Sequence, residues 1–214
     1  MVASTEPRAL FATSGGETTD PPASGVTQSE VLRAAAAGQS WAYAALYDEL
    51  HPFVAAALQK ILHYTPDYDD LVQTSFELIV RSLRRPRPRP IENLGAWSSA
   101  IAARVALSAL RVKIRERRIF NRESESTTEA ENSPSPELER QLDVRRKLRW
   151  LQEALAAMHP EQAEAVLLHD VLGYDLVEMA RSMDVSVAAA QKRLSRGHIE
   201  LRGRAERSAR EGGL

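Results

Sequence analysis

Apolar side chains recur at steps of three and four residues along most of the chain, which is the period of an α-helix. In the first half, this pattern predicts four helices, at about 29–37, 46–61, 68–83 and 94–118. Gly38 is suited to end the first helix, and Asp67 is suited to cap the third. Pro52 lies inside the second, where it should kink the helix or start a new one.

The same period predicts four more helices in the second half, at about 144–158, 161–172, 176–183 and 187–204. The turn Asp184–Ser186 separates the last two, and Ser186 is placed to cap the final helix. A short helix, a three-residue turn and a longer basic helix are typical of a helix-turn-helix. Asp184 stands where glycine is usual, and aspartate tolerates the left-handed conformation better than most residues. The predicted fold class is all-α.

Segments without this period divide the chain into two predicted domains. Residues 1–26 are rich in Ser, Thr, Gly, Pro and Ala, and residues 121–137 combine the same character with acidic side chains. Neither can bury enough apolar surface to offset the entropy of ordering. The predicted organisation is a tail, two helical domains joined by a flexible acidic linker, and a second tail, at 1–26, 27–120, 121–137, 138–206 and 207–214. Within the first domain, RRPRPRP at 84–90 predicts an extended surface loop.

Composition excludes several classes of function. The chain has no cysteine, so disulfides, thiolate zinc sites and a cysteine nucleophile are excluded. No apolar run approaches the ~20 residues that span a bilayer, and the N-terminus lacks the pattern of a signal peptide, so we expect no membrane insertion and a cytoplasmic protein. The five histidines have no ligand spacing, and no phosphate-binding loop is present. We therefore expect no enzymatic activity, no catalytic residue, no metal and no cofactor.

Charge is segregated along the chain although the net charge is only −1. Residues 81–122 carry 12 basic and 2 acidic side chains, whereas residues 1–80 carry 3 basic and 10 acidic ones. On the fourth helix, one side carries a row of arginines with Ser108 among them, namely Arg104, Arg111, Arg115, Arg118 and Arg122. Like charges in a row repel one another, and folding alone gives no reason for the arrangement. A phosphate backbone does, so the row predicts contact with nucleic acid.

The last helix predicts a second DNA-contacting face. Its polar and basic side would be formed by Gln191, Lys192, Ser195 and Arg196, and its inward side by Val187, Ala190 and Leu194. A helix in the major groove needs such a polar face to contact base edges and phosphates.

Five motifs in this order resemble the extracytoplasmic-function (ECF) sigma factors, the minimal initiation factors of bacterial RNA polymerase. They are LYDELHPFV (46–54), DYDDLVQTSFELIV (67–80), AWSSAIAARVALSALR (96–111), ALAAMHPEQAEAVLLHDVLGYDLVEMARSM (154–183) and VSVAAAQKRLSRGHIELR (185–202). The resemblance covers about 27–120 and 138–204. It implies a sigma region 2-like domain, which binds core polymerase and the −10 promoter element, and a region 4-like domain, which binds the −35 element.

The resemblance implies three sets of site residues. The face that docks on the clamp of the polymerase largest subunit would comprise Asp70, Gln73, Glu77 and Arg81. The −10 element, with one unstacked base, would be bound by Asn93, Leu94, Gly95, Arg104, Ser108, Arg111 and Arg115. The −35 element would be bound by Gln191, Lys192, Arg193, Ser195 and Arg196. Implied partners are core RNA polymerase, through its clamp and flap, promoter DNA and an anti-sigma factor.

Several positions depart from the family pattern. Ser98, Arg104 and Ser108 stand where the family usually has Leu, Asn and Asp, and Ala189-Ala190-Gln191 replaces a common Thr-Val-Lys. The promoter sequence cannot be inferred from the family for this reason. Two alternatives stay open: a sigma-like decoy that sequesters an anti-sigma factor, and a stand-alone helix-turn-helix regulator, for which a palindromic operator and dimerisation would be expected.

Overall fold

The structure, a computed structural model, describes residues 26–63, 65–85, 91–121 and 136–211. Within these ranges the chain forms eight α-helices and one π-helical turn, and no strand, which confirms the all-α prediction. The helices are α1 Gln28–Ala36, α2 Ser40–Leu62, α3 Tyr68–Leu83, α4 Leu94–Asn121, α5 Pro136–Ala157, α6 Pro160–Val166, α7 Leu176–Ser182 and α8 Val187–Arg210, with the π-helical turn at Leu167–Val171.

The chain divides into two units, Met1–Val105 and Ala106–Leu214, and the boundary lies inside α4. In the first unit α1, α2 and α3 pack against one another. Their fully buried side chains include Leu46, Leu50 and Ile79. The domain limits 27–120 and 138–206 stay predictions.

In the second unit α6 and α7 pack against α8, and α5 contacts both α6 and α8. The core of this unit is formed by Leu155, Leu167, Leu168, Met179 and Ala190. Asp175 starts α7 with a capping box, because its carboxylate accepts the backbone N–H groups of Val177 and Glu178, both at 2.8 Å. These contacts fix the short helix that precedes α8.

Three valines that belong to the apolar stripes of the fourth, fifth and last predicted helices, and were expected to face inward, are exposed. Val112 is 52% exposed, Val144 64% and Val187 43%. The described side chains that surround Val112 and Val144 on α4 and α5 are also largely exposed, so each helix extends past the core that covers its apolar stripe. Val187 lies in the first turn of α8, at the N-terminal end of the helix.

Pro52 does not start a new helix, because α2 continues through it from Ser40 to Leu62. Proline leaves one backbone carbonyl of the preceding turn without its usual donor, and Pro52 lies on the exposed side of the helix, where water can supply one. The observed bounds also differ from the predicted ones, most of all at three ends. α2 begins at Ser40 rather than near residue 46. α5 begins at Pro136, inside the predicted linker, and α8 continues to Arg210, beyond the predicted end at 204.

Several predictions fall on parts of the chain that the structure does not describe. The tail up to residue 25, residues 86–90 of the proline-rich loop and residues 122–135 of the linker lie outside the described residues.

Candidate nucleic-acid interface

The α3 residues that the resemblance assigns to polymerase docking share one side of the helix. Asp70, Glu77 and Arg81 are exposed, and Gln73 is half-buried. Their spacing of three and four residues places them along one side of the helix. The Gln73 side-chain amide donates a hydrogen bond of 3.1 Å to the Glu77 carboxylate, which joins two of the four members.

Aromatic packing against the middle of α3 lies on its buried side, opposite that face. The Tyr47 ring of α2 lies 4.6 Å from the Phe76 ring, measured between centroids. Burial raises the pKa of the Tyr47 hydroxyl above its ordinary value of 10.0, and the nearby charge of Asp69 adds to the effect. Burial also raises the pKa of Tyr68. Both phenols are therefore neutral at physiological pH.

The predicted base-capture loop, Asn93 to Gly95, is ordered by local contacts. Asn93 is exposed, and its side-chain oxygen accepts the backbone N–H of Ala96 at 2.9 Å, so it caps α4. Leu94 and Gly95 are buried. The Phe53 ring of α2 covers Gly95 so closely that a Cβ placed there would lie 2.7 Å from a ring carbon. Of the three, only Asn93 presents its side chain to solvent.

The row of cations on α4 is accessible in part. Arg104, Ser108 and Arg115 are exposed, and the Arg104 Nε donates to the Ala100 carbonyl of the same helix at 3.3 Å. The side chain of Arg118 and all of Arg122 lie outside the described residues.

Arg111 differs from its neighbours in the row because it is half-buried and bonded within the second unit. Its Nε donates to the Ala156 carbonyl at 3.1 Å, and its Nη2 donates to the Met158 carbonyl at 3.2 Å. Arg204 of α8 also donates to this helix end, from Nη2 to the Ala157 carbonyl at 3.1 Å. Guanidinium groups at a helix C-terminus satisfy orphan carbonyls and complement the negative end of the dipole. A phosphate contact by Arg111 would require these bonds to open.

The turn between α7 and α8 has the geometry that the sequence predicted. Asp184 adopts the left-handed conformation with φ of +52°. Ser186 caps α8, because its hydroxyl accepts the backbone N–H of Ala189 at 3.2 Å. The helix-turn-helix prediction is therefore supported by both of its local signals.

On α8 the residues that the resemblance assigns to the −35 element are exposed with one exception. Gln191, Lys192, Ser195 and Arg196 are exposed. Arg193 instead turns towards α6, where its Nη2 lies 2.8 Å from the Glu161 carboxylate, and its side chain is only 25% exposed. Its guanidinium therefore stabilises the packing of α8 rather than standing on the exposed face.

A cluster of imidazole and carboxylate groups was not singled out by the sequence. Asp170 joins the π-helical turn to α8, because one of its oxygens lies 2.7 Å from His169 Nδ1 and the other 2.8 Å from His198 Nε2. The two histidines are 29 positions apart, so no spacing motif could have indicated the cluster. Across the described part of the chain, no group of three potential ligands could hold a metal ion.

Among the described residues, no helix is both long enough and apolar enough to cross a membrane.

Two family descriptions match this chain. The sequence matches the family description "Sigma-70 region 2" over residues 46–116 and "Sigma-70, region 4" over residues 148–199. It is 30% identical to the RNA polymerase sigma factor CarQ of Myxococcus xanthus over 167 residues, which cover 77% of this chain and 90% of CarQ. The solved structure of CnrH in complex with the cytosolic domain of CnrY is 20% identical, with a TM-score of 0.44 over 82% of this chain and 95% of CnrH. That structural likeness is too low to carry an argument.

Two sigma modules in this order, the second with a helix-turn-helix, define a DNA-binding transcription initiation factor. The chain belongs to the ECF family of RNA polymerase sigma factors.

Proposed function

We propose that this sigma factor binds core RNA polymerase and directs it to promoters by recognising a −35 and a −10 element. The observation that carries the proposal is the exposed polar face of α8 in a helix-turn-helix whose cap and turn are both formed. Such a face is what insertion into the major groove requires.

Core polymerase would dock on α3 through Asp70, Gln73, Glu77 and Arg81, against the clamp of its largest subunit. The Gln73–Glu77 hydrogen bond arranges two of these groups before docking, which lowers the cost of ordering them. The second unit would contact the flap.

The −10 element would be bound at the start and along the exposed side of α4. Asn93, Arg104, Ser108 and Arg115 present side chains there, whereas Leu94 and Gly95 would act by holding the loop backbone in place. Unstacking one base costs a few kcal/mol, which contacts in a pocket and phosphate neutralisation would offset. The contribution of Arg111 would come only after its bonds to α5 open.

The −35 element would be bound by Gln191, Lys192, Ser195 and Arg196. Lysine and arginine neutralise phosphates and release counterions, so binding should weaken steeply as salt rises. We do not assign Arg193 to base contact, since it is paired with Glu161. An anti-sigma partner and a cytoplasmic location stay predictions from the resemblance and the composition.

Reconstituted transcription with core polymerase on a library of genomic promoter fragments tests the proposal. We expect transcripts only when the full chain is added, from fragments that share two spaced elements. The double variants Lys192→Glu/Arg196→Glu and Arg104→Glu/Arg115→Glu should each lose most of this activity and keep the helical fold. Arg207→Glu/Arg210→Glu, which reverses two charges at the far end of α8, is the matched control and should retain it.

A capture assay with tagged full-length chain tests polymerase docking separately. Asp70→Lys/Glu77→Lys should release core polymerase, whereas Asp48→Lys, an exposed acidic position on α2, should not. A chain that directs no transcription on any fragment would contradict the proposal. If it still bound an anti-sigma factor, the result would establish the decoy, for which Arg104, Ala189 and Gln191 are the motivating departures.

A further inference from the structure

The first turn of α8 has an apolar, exposed end that the family resemblance does not assign. Val187 is 43% exposed, and Ala188 is exposed beside it. The cap by Ser186 and the left-handed Asp184 fix where this turn begins, so both side chains stand at the N-terminal end of the helix. In a helix-turn-helix, the N-terminal residues of the second helix are those that contact base edges.

Gln191 follows Val187 by one helical turn on the same exposed side. Four residues of helix rise by about 6 Å, enough to bring the two side chains to neighbouring base pairs. Lys192 and Arg196 are also exposed, and they lie further round the helix from Val187. In that position they suit phosphate contacts, which fix the register of a protein on DNA without specifying sequence.

The chemistry of these side chains selects between base pairs. Thymine alone carries a methyl group in the major groove, and apolar side chains contact it, whereas glutamine forms two hydrogen bonds with adenine N6 and N7. Arginine is the usual partner of guanine. In this segment Arg193 is held by Glu161 on α6 and does not stand with Val187 and Gln191.

We propose that Val187, with Ala188, contacts a thymine methyl group in the −35 element, and that Gln191 contacts an adenine within the adjacent base pairs. The first turn of α8 therefore recognises A·T pairs. This inference rests on the proposed function, which makes the −35 element the DNA that α8 binds. It adds that the element contains A·T pairs, and it names the side chains that recognise them.

The test begins with selection of DNA from a randomised −35 region, in two arms: full chain with core polymerase, and full chain alone. We expect the selected duplexes to share A·T pairs at two neighbouring positions. Each thymine is then replaced singly by deoxyuridine, which lacks only the methyl group. Loss of one methyl contact should weaken binding about fourfold at one position.

Variants assign the contacts. Val187→Ala leaves Ala188 in place and should lower the thymine-to-deoxyuridine affinity ratio at that position towards one, whereas Val187→Asn/Ala188→Asn should bring it close to one. Gln191→Ala should remove discrimination at the adenine position, which is worth about 5-fold to 150-fold for a good bidentate contact. Val177→Ala is the matched control, because Val177 is 45% exposed on α7, and it should leave both effects unchanged. Lys192→Ala should weaken binding to all sequences and lower the dependence on salt.

Three results would overturn the inference: no A·T preference in either arm, equal affinity for thymine and deoxyuridine at every position, or a Val187→Ala variant that loses polymerase capture while its base ratios stay unchanged. The last result would make the turn a protein interface. A different outcome is that the chain directs no transcription but, without polymerase, still prefers A·T pairs. That outcome would contradict the proposed function and leave this inference standing.

Discussion

The two helices predicted to contact DNA are seated on their neighbours in different ways, although each crosses a neighbour at a glycine. At Gly197 of α8, an added Cβ would lie 2.7 Å from a methyl group of Val166 and 3.0 Å from the Gln162 backbone carbonyl. At Gly95 of α4, the three nearest atoms would all belong to the ring of Phe53, from 2.7 Å. Backbone and a buried valine cannot move aside, whereas the Phe53 ring is 47% exposed and can.

This difference suggests different requirements at the two promoter elements. The −35 surface would act as a preformed face, held at a fixed distance from α6 by Gly197 and by the Arg193–Glu161 ion pair. The start of α4, proposed to receive an unstacked base, lies beneath an aromatic side chain that has room to turn. A rigidly packed helix is suited to recognition of an intact duplex. A side chain that can move aside is suited to a site that an unstacked base must enter from solvent.

The largest expected effect is from Gly197→Ala. Overpacking against α6 should destabilise the second unit by about 1–3 kcal/mol, because Val166 is buried and Gln162 contributes backbone. Hydrogen exchange of α6 and α8 amides in the full chain would measure this. Gly203→Ala is the matched control on the same helix: its nearest neighbour is the Arg207 side chain at 3.6 Å, so it should stabilise the helix by up to ~1 kcal/mol. Equal effects of the two variants would contradict rigid seating of α8.

Gly95→Ala should have a smaller effect. The gain in helix propensity and the cost of displacing Phe53 are each of order 1 kcal/mol, so the net change should lie within about 1 kcal/mol of zero. A double-mutant cycle with Phe53→Ala isolates the contact, and removing the ring should make Gly95→Ala more favourable. Thermal unfolding of the full chain with each variant provides the data. Additive effects would show that Phe53 does not restrain the start of α4.

The local features of both units could be predicted from sequence because their causes are local. Asp184 in the left-handed turn, Ser186 as a cap and the break at His159-Pro160 each depend on residues within a few positions. The docking residues on α3 came from the resemblance, and they lie opposite the buried side chains Val72, Phe76 and Ile79.

Contacts between distant segments could not be predicted. Spacing predicted DNA contact for Arg111, and the family resemblance implied it for Arg193, yet their partners lie 45 and 32 residues away. Helical period shows which side chains share a face, and it contains no information on what covers that face. The exposure of Val112 and Val144 has the same origin, because an apolar stripe does not reveal where the neighbouring helix ends.

The Arg193–Glu161 pair contributes less than packing at Gly197. Glu161→Gln should lower the stability of the second unit by about 0.2–1 kcal/mol at low salt and by less at high salt, because Glu161 is 51% exposed. Denaturant unfolding at two salt concentrations measures the difference. Glu206→Gln, at an exposed position near the end of α8, is the control and should show no comparable salt dependence. An effect that is independent of salt would assign the role of Arg193 to packing of its stem.

The smallest effect is expected at the solvent-exposed start of α1, where no packing is involved. The backbone N–H of Thr27 and then its hydroxyl donate to the Glu30 carboxylate, each at 2.8 Å, and lower the pKa of Glu30 from its ordinary value of 4.5. Because the folded pKa is the lower one, the contribution to stability is present above pH 4.5 and is lost as pH falls through the lowered pKa. The stability difference between wild type and Glu30→Gln should therefore shrink on acidification.

Thr27→Val, which removes the hydroxyl and keeps the N–H, should raise the pKa of Glu30 only part of the way, as NMR titration would show. A pKa that returned fully to 4.5 in that variant would assign the effect to the hydroxyl rather than to the backbone.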